Sequence, residues 1–104
     1  KNVYFISACP PVRFPCFYGV DMPTTKELTA ANKTINEIKK FIDVDILMYQ
    51  EIDELKEAVT RKGEHNINKP CMACLDGNYI TGDIDQKKMG EMESQRVNER
   101  LVLK

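Results

Sequence analysis

Apolar and polar positions divide the chain into short alternating blocks. The first is Val3-Tyr4-Phe5-Ile6-Ser7-Ala8, a nearly continuous apolar run that predicts a buried strand. Two prolines at Cys9-Pro10-Pro11 remove backbone donors and stop any ladder there. Residues 10–23 hold four prolines, Gly19 and the aromatic cluster Phe14, Phe17 and Tyr18. That mixture is too apolar for a solvated linker and too rich in proline for a regular element, so it predicts an ordered, packed loop. Thr24-x-x-Glu27 and Thr34-x-x-Glu37 each match a capping box and predict two helix starts. The second helix carries Ile35, Ile38, Phe41 and Ile42 at helical spacing, a stripe expected to face a core while Lys39 and Lys40 stay in water.

Ile46-Leu47-Met48-Tyr49 predicts a second short strand. Ile52, Leu55, Ala58 and Val59 recur at three- and four-residue steps and predict a third helix, ended by Arg61-Lys62-Gly63 through its dipole and a terminating glycine. Residues 64–70 are polar and lead into a Cys71-Met72-Ala73-Cys74 turn. Asn78-Tyr79-Ile80-Thr81-Gly82 then predicts a last short strand or extended arm, and residues 85–104 form a charged tail with only weak periodicity. No internal repeat or low-complexity tract is present. The order strand, two helices, strand, helix predicts the trailing part of an α/β domain.

At 104 residues the chain has the size of one small domain, able to bury about 60–65% of its unfolded surface. Fifteen basic and sixteen acidic residues are interspersed to a net charge of −1, which leaves no electrostatic footprint for nucleic acid. No stretch reaches the ~18–20 apolar residues of a membrane span. No signal-peptide order opens the chain, and a cytoplasmic protein is expected. In that compartment four cysteines point to metal binding, redox chemistry or burial rather than to disulfides. The chain opens at Lys1, without an initiator methionine and directly before an apolar run, so we expect it to be the C-terminal piece of a larger enzyme.

Chemistry concentrates on Cys16, within Phe14-Pro15-Cys16-Phe17-Tyr18-Gly19, and on the pair Cys71 and Cys74 more than fifty residues later. A C-x-x-C spacing lets two thiolates approach one centre, and a distant third joins them by folding, one short of the four usual for an iron-sulfur cluster. The same spacing serves zinc sites and redox disulfides, though Asn66-Ile67-Asn68-Lys69-Pro70 does not read as the strand of a thioredoxin-like motif. Buried, unliganded thiols remain the alternative. Cys9, between Ala8 and Pro10, reads as a small core residue. Asp43-x-Asp45 and Asp83-x-Asp85 lack a third anchor and read as surface charge, as does the single histidine, His65. Arg13 and Asp21 read as residues that hold a loop through backbone hydrogen bonds. No phosphate-binding glycine loop, G-x-S-x-G elbow or H-E-x-x-H pair occurs.

The string Ser7-Ala8-Cys9-Pro10-Pro11-Val12-Arg13-Phe14-Pro15-Cys16-Phe17-Tyr18-Gly19-Val20-Asp21-Met22-Pro23 resembles the segment after the phosphoribosyl pyrophosphate loop in the glutamine amidophosphoribosyltransferase family. The resemblance continues through residues 25–32 and 37–49 and into Cys71-Met72-Ala73-Cys74-Leu75-Asp76-Gly77-Asn78-Tyr79, similar to the family's C-x-A-C-x-x-G-x-Y motif; it covers roughly residues 1–85.

The resemblance implies an α/β chain, the C-terminal portion of a type I phosphoribosyltransferase-like fold with a cysteine-containing arm. Residues 1–84 would be domain and residues 85–104 a charged tail. It implies a glycosyltransferase that passes glutamine-derived ammonia to phosphoribosyl pyrophosphate, giving phosphoribosylamine at the entry to purine biosynthesis. Cys16, Cys71 and Cys74 would be three ligands of a [4Fe-4S] cluster whose fourth lies earlier in the protein. Asp21 and Pro23 would lie near feedback purine nucleotides and the domain junction. Mg2+ and the catalytic residues would belong to the rest of the enzyme, namely the glutaminase domain and the N-terminal part of the transferase domain. The intact enzyme would be a homo-oligomer, and this piece alone inactive. The rival reading is a free-standing zinc-binding interaction module using Cys9, Cys16, Cys71 and Cys74; a third is a metal-free piece whose thiols only pack.

Overall fold

In the computed structural model, which describes residues 1–19, 23–61, 64 and 67–103, the two apolar runs of the first half become strands β1 (Tyr4–Ser7) and β2 (Ile46–Tyr49). They pair in parallel with Tyr4 opposite Ile46 and Ser7 opposite Tyr49. A parallel pair needs a long crossover. Here it comprises the Pro-rich loop, a single 3-10 turn at Thr29–Ala31 and helix α1 (Ile35–Phe41). Asp45 locks the strand ends: its carboxylate accepts from the Val3 amide at 2.6 Å while its own amide donates to the Val3 carbonyl at 2.9 Å. Helices joined to a small parallel sheet make the chain α/β.

The strands are not buried as their composition predicts. Tyr4, Phe5 and Ile6 are exposed, Ile6 to 71%, and so are Ile46 and Met48. Uniformly apolar strands suit a sheet covered on both faces, and the described residues do not supply both covering layers. The same holds for α1. Only Ile38 of its stripe is buried, whereas Ile35, Phe41 and Ile42 are exposed, and Lys39 is half-buried instead of wet.

The two capping boxes diverge. Thr34 forms the full reciprocal pair, its hydroxyl accepting from the Glu37 amide at 3.2 Å and its own amide donating to the Glu37 carboxylate at 2.7 Å, and α1 follows. At Thr24 only half forms. The Thr24 amide and hydroxyl both donate to Glu27, while the Glu27 amide bonds the Thr24 carbonyl, so a turn results instead of a helix.

Helix α2 (Ile52–Thr60) follows β2 as predicted, with Ile52 and Leu55 half-buried and Ala58 and Val59 exposed. It stops at Arg61, in the left-handed region at φ 43°; the predicted stop at Lys62 and Gly63 lies outside the described residues. Residues 78–82, predicted as a short strand or extended arm, form no strand but an irregular stretch closed by a Gly82 amide bond to the Tyr79 carbonyl at 3.0 Å.

Two helices complete the chain: the single turn α3 (Ala73–Asp76) and the 17-residue α4 (Gln86–Val102). The tail read as weakly periodic is thus a helix about 25 Å long. Asp85 caps it, accepting from the Lys88 amide at 2.8 Å. The buried cluster Phe17, Ala73 and Tyr79, with Ile84, Met89 and Met92 packed against it, lies among the cysteine-bearing segments and away from the sheet. Among the described residues no helix is long and apolar enough to cross a membrane.

Candidate metal centre

Prolines in the loop leave few amides to donate, and the two just before Pro15 find one acceptor. The Arg13 and Phe14 amides both donate to the Cys74 carbonyl, at 3.0 and 3.1 Å. This joins the Cys16 loop to the Cys71–Cys74 turn across some sixty residues of chain. The Arg13 side chain donates to the Ala30 carbonyl at 2.8 Å, a loop-holding role as its sequence setting predicts. Beyond Pro15, the Tyr79 hydroxyl donates to the Pro15 carbonyl at 2.6 Å in a buried bond. The Tyr79 ring lies tilted to Phe17 at 6.0 Å and edge-on to Tyr18 at 5.0 Å, separations favourable for aromatic pairs.

The turn itself is anchored by the residues around the thiols. Met72, Ala73 and Leu75 are buried, whereas Cys71 is exposed and Cys74 half-buried. Gly77 closes α3 at φ 77°, its amide donating to the Ala73 carbonyl. A Cβ there would meet the Phe14 ring at 3.1–3.2 Å, so glycine is needed for both conformation and space.

Burial pushes the Cys74 thiol up, and the nearby Cys9, Cys16 and Cys71 thiols push it in the same direction. Burial likewise raises the Tyr79 hydroxyl from 10.0 to about 12. An acid whose folded-state value is raised stabilises the fold at pH below its unfolded value, and that contribution is lost as the pH climbs through the folded one. For Tyr79 the window is therefore pH 10 to about 12. Tyr79→Phe is expected to lower stability by about 1–3 kcal/mol at neutral pH, because the Pro15 carbonyl loses its donor. The deficit should narrow through that alkaline window. Melting temperatures of both proteins against pH check this, and parallel curves would refute it.

Among the described residues no three His, Cys, Asp or Glu side chains converge as one ion requires, so a zinc ion held by Cys9, Cys16, Cys71 and Cys74 is not supported. Cys16, Cys71 and Cys74 are soft donors of the kind an iron-sulfur cluster takes, and Cys16 and Cys71, like Cys9, lie near enough to Cys74 to push its thiol up. In donor type they fit a cluster, one ligand short.

Other predicted positions fall as follows. Cys9 is exposed instead of a core residue. Pro23 is exposed, and Asp21 and His65 lie outside the described residues. Asp45 and Asp85 serve as backbone acceptors, and Asp83 accepts from the Thr81 hydroxyl.

Sequence reasoning missed the part played by α4. Arg96 donates through Nη2 to the Cys16 carbonyl at 2.9 Å and lies 5.0 Å from the Phe17 ring centroid. Glu93 accepts from the Thr25 amide and hydroxyl, and Arg100 pairs with Glu27 at 3.4 Å. The available signal was the spacing of Glu93, Arg96 and Arg100 on one helical face behind the Asp85 cap.

Comparison with known proteins finds relatives over nearly the whole chain. The amidophosphoribosyltransferase of Pseudomonas aeruginosa is 42% identical over 96 residues, and that of Escherichia coli 36% over 96; both alignments cover 92% of this chain and 19% of the relative. The amidophosphoribosyltransferase of Pyrococcus horikoshii is 47% identical over 87 residues, or 84% of this chain and 18% of the relative. The chain thus spans about a fifth of the length of the curated relatives it matches. No protein-family model matches it.

Proposed function

The chain is related in sequence to one segment of the amidophosphoribosyltransferase family, and from that premise we propose that it is part of such an enzyme. The whole protein transfers glutamine-derived ammonia to phosphoribosyl pyrophosphate, yielding 5-phosphoribosylamine, the first committed step of purine synthesis. The segment belongs to the C-terminal portion of a type I phosphoribosyltransferase domain, in keeping with its parallel β1–β2 pair. Mg2+, the glutaminase domain, the catalytic residues and the contacts of the oligomer come from elsewhere in a cytoplasmic enzyme. The segment alone is inactive. Asp21 and Pro23 are assigned to the neighbourhood of feedback purine nucleotides and the domain junction.

One observation carries the reading: the two blocks most specific to the family, the Cys16 loop and the Cys71–Cys74 turn, are bound to each other through the Cys74 carbonyl. Cys16, Cys71 and Cys74 would be three of the ligands of a [4Fe-4S] cluster, with a cysteine earlier in the protein as the fourth. When bound, the cluster acts as a cross-link that stabilises the folded state, since its ligand geometry does not exist in the unfolded chain. The chain's own residues prepare for it: Arg13, Phe14 and Tyr79 fix the loop, and Gly77 fixes the turn.

The full-length protein should form phosphoribosylamine from glutamine and phosphoribosyl pyrophosphate with Mg2+, and the absence of that activity would overturn the proposal. Cys16→Ser in the same protein should lose iron, visible absorption and thermal stability together. Unchanged iron and stability would remove the cluster role while leaving the transferase assignment in place.

A further inference from the structure

Helix α4 meets the ligand-bearing loop through Glu93, Arg96 and Arg100, at positions i, i+3 and i+7 of one face. The outer contacts are of different kinds. Arg100 and Glu27 are both largely exposed, and an exposed pair contributes little. Glu93 takes two hydrogen bonds from Thr25 in a half-buried setting. Arg96 lies between them, at Cys16 itself.

One planar guanidinium there does two things. Through Nη2 it holds the Cys16 carbonyl, and through its face it holds the neighbouring Phe17 ring. The backbone on which the Cys16 thiol is mounted is thereby tied to α4 as well as, through Arg13 and Phe14, to the Cys71–Cys74 turn. The same guanidinium keeps a spare donor: Nη1 is shielded from solvent and has no hydrogen-bond partner among the described residues. A buried charged donor without a protein acceptor is costly, so the guanidinium is held here by the two contacts it does make.

We propose that Arg96 is the positioning residue of Cys16: it clamps the Cys16 backbone and the Phe17 ring to α4 and so holds the thiol-bearing loop in place. The clamp does not rest on the cluster reading above. Glu93 keeps the register of the clamp through Thr25. Lysine at position 96 would keep the charge and lose the fork that bonds carbonyl and ring together.

The test uses the full-length protein with Arg96→Gln, Arg96→Lys and, as a control on the same face, Arg100→Ala. Two quantities are read: alkylation of Cys16 relative to Cys74, both half-buried thiols, in the metal-free reduced protein by peptide mass spectrometry, and iron per chain. Arg96→Gln should raise the Cys16-to-Cys74 alkylation ratio about ten-fold, as expected for local opening on loss of one charge-assisted hydrogen bond. It should also lower iron retention. Arg96→Lys should not restore the ratio, and Arg100→Ala should leave it near the wild-type value. A general loss of fold would raise both half-buried thiols together and leave the ratio unmoved, and an unmoved ratio in Arg96→Gln overturns the clamp. A wild-type protein without iron overturns the cluster reading, while the alkylation ratio still decides the clamp.

Discussion

Phe17→Ala is expected to destabilise the protein by about 3–5 kcal/mol, the range for removing a buried aromatic side chain and leaving its cavity. Phe17 is 8% exposed and belongs to the cluster with Ala73 and Tyr79. Its ring also touches Tyr79 at 6.0 Å and the Arg96 guanidinium at 5.0 Å. Truncation therefore removes apolar burial, an aromatic pair and a cation–π contact at one position, directly beside Cys16. Phe41→Ala is the comparison, because Phe41 is 68% exposed despite its place on an apolar helical stripe. Midpoints of urea unfolding on the full-length protein give the two values. Equal losses at the two positions would mean that the core does not lie between the cysteine segments, or that the remainder of the protein covers Phe41 as thoroughly as Tyr79 covers Phe17.

Gly77→Ala should cost about 2–4 kcal/mol, from a left-handed backbone and from overpacking against Phe14. The two contributions are separable within this chain. Gly82 also has a positive φ, 71°, but an added Cβ there meets nothing within 4 Å. Gly82→Ala should thus carry only the backbone part, about 1–2 kcal/mol. The difference between the variants measures how tightly the Phe14 ring is held against the turn, and so how firmly the Cys16 loop is seated. A Gly77→Ala protein no less stable than Gly82→Ala would show that the loop yields, and the seating of Cys16 would then need another cause. Because Gly77 follows Cys74 by three residues, the same variant should also lower iron retention if the thiols ligate a cluster.

These variants bear on a molecule whose organisation runs counter to its hydrophobic pattern. The strongest apolar runs, at β1 and β2, remain largely exposed, while the buried cluster gathers around a loop rich in proline and a turn of four residues. Exposed Tyr4, Phe5, Ile6 and Met48 are in keeping with a chain that spans only part of its relatives' length. An apolar strand specifies that it must be covered, and the cover need not lie in the same stretch of sequence.

Local signals were legible in the sequence by itself where a few neighbouring residues complete the physics. Thr34 and Glu37 satisfy each other's amides within one turn, so α1 begins where its capping box is written. The runs Tyr4–Ser7 and Ile46–Tyr49 are strands, and the C-x-x-C pair sits on a turn. Thr24 and Glu27 carry the same signature and form only a turn, because the Glu27 amide goes to the Thr24 carbonyl instead of its hydroxyl and Thr25 is held by Glu93 of α4. Assembly of the site was decided only in the tertiary structure. Nothing local to Cys74 indicates that its carbonyl will collect the Arg13 and Phe14 amides, and nothing local to Arg96 that it will reach Cys16, 80 positions away. Hydrogen bonds within a turn are encoded by adjacent residues, but the hydrophobic effect is non-directional: it marks which side chains leave water and leaves their partners to the packing of distant segments.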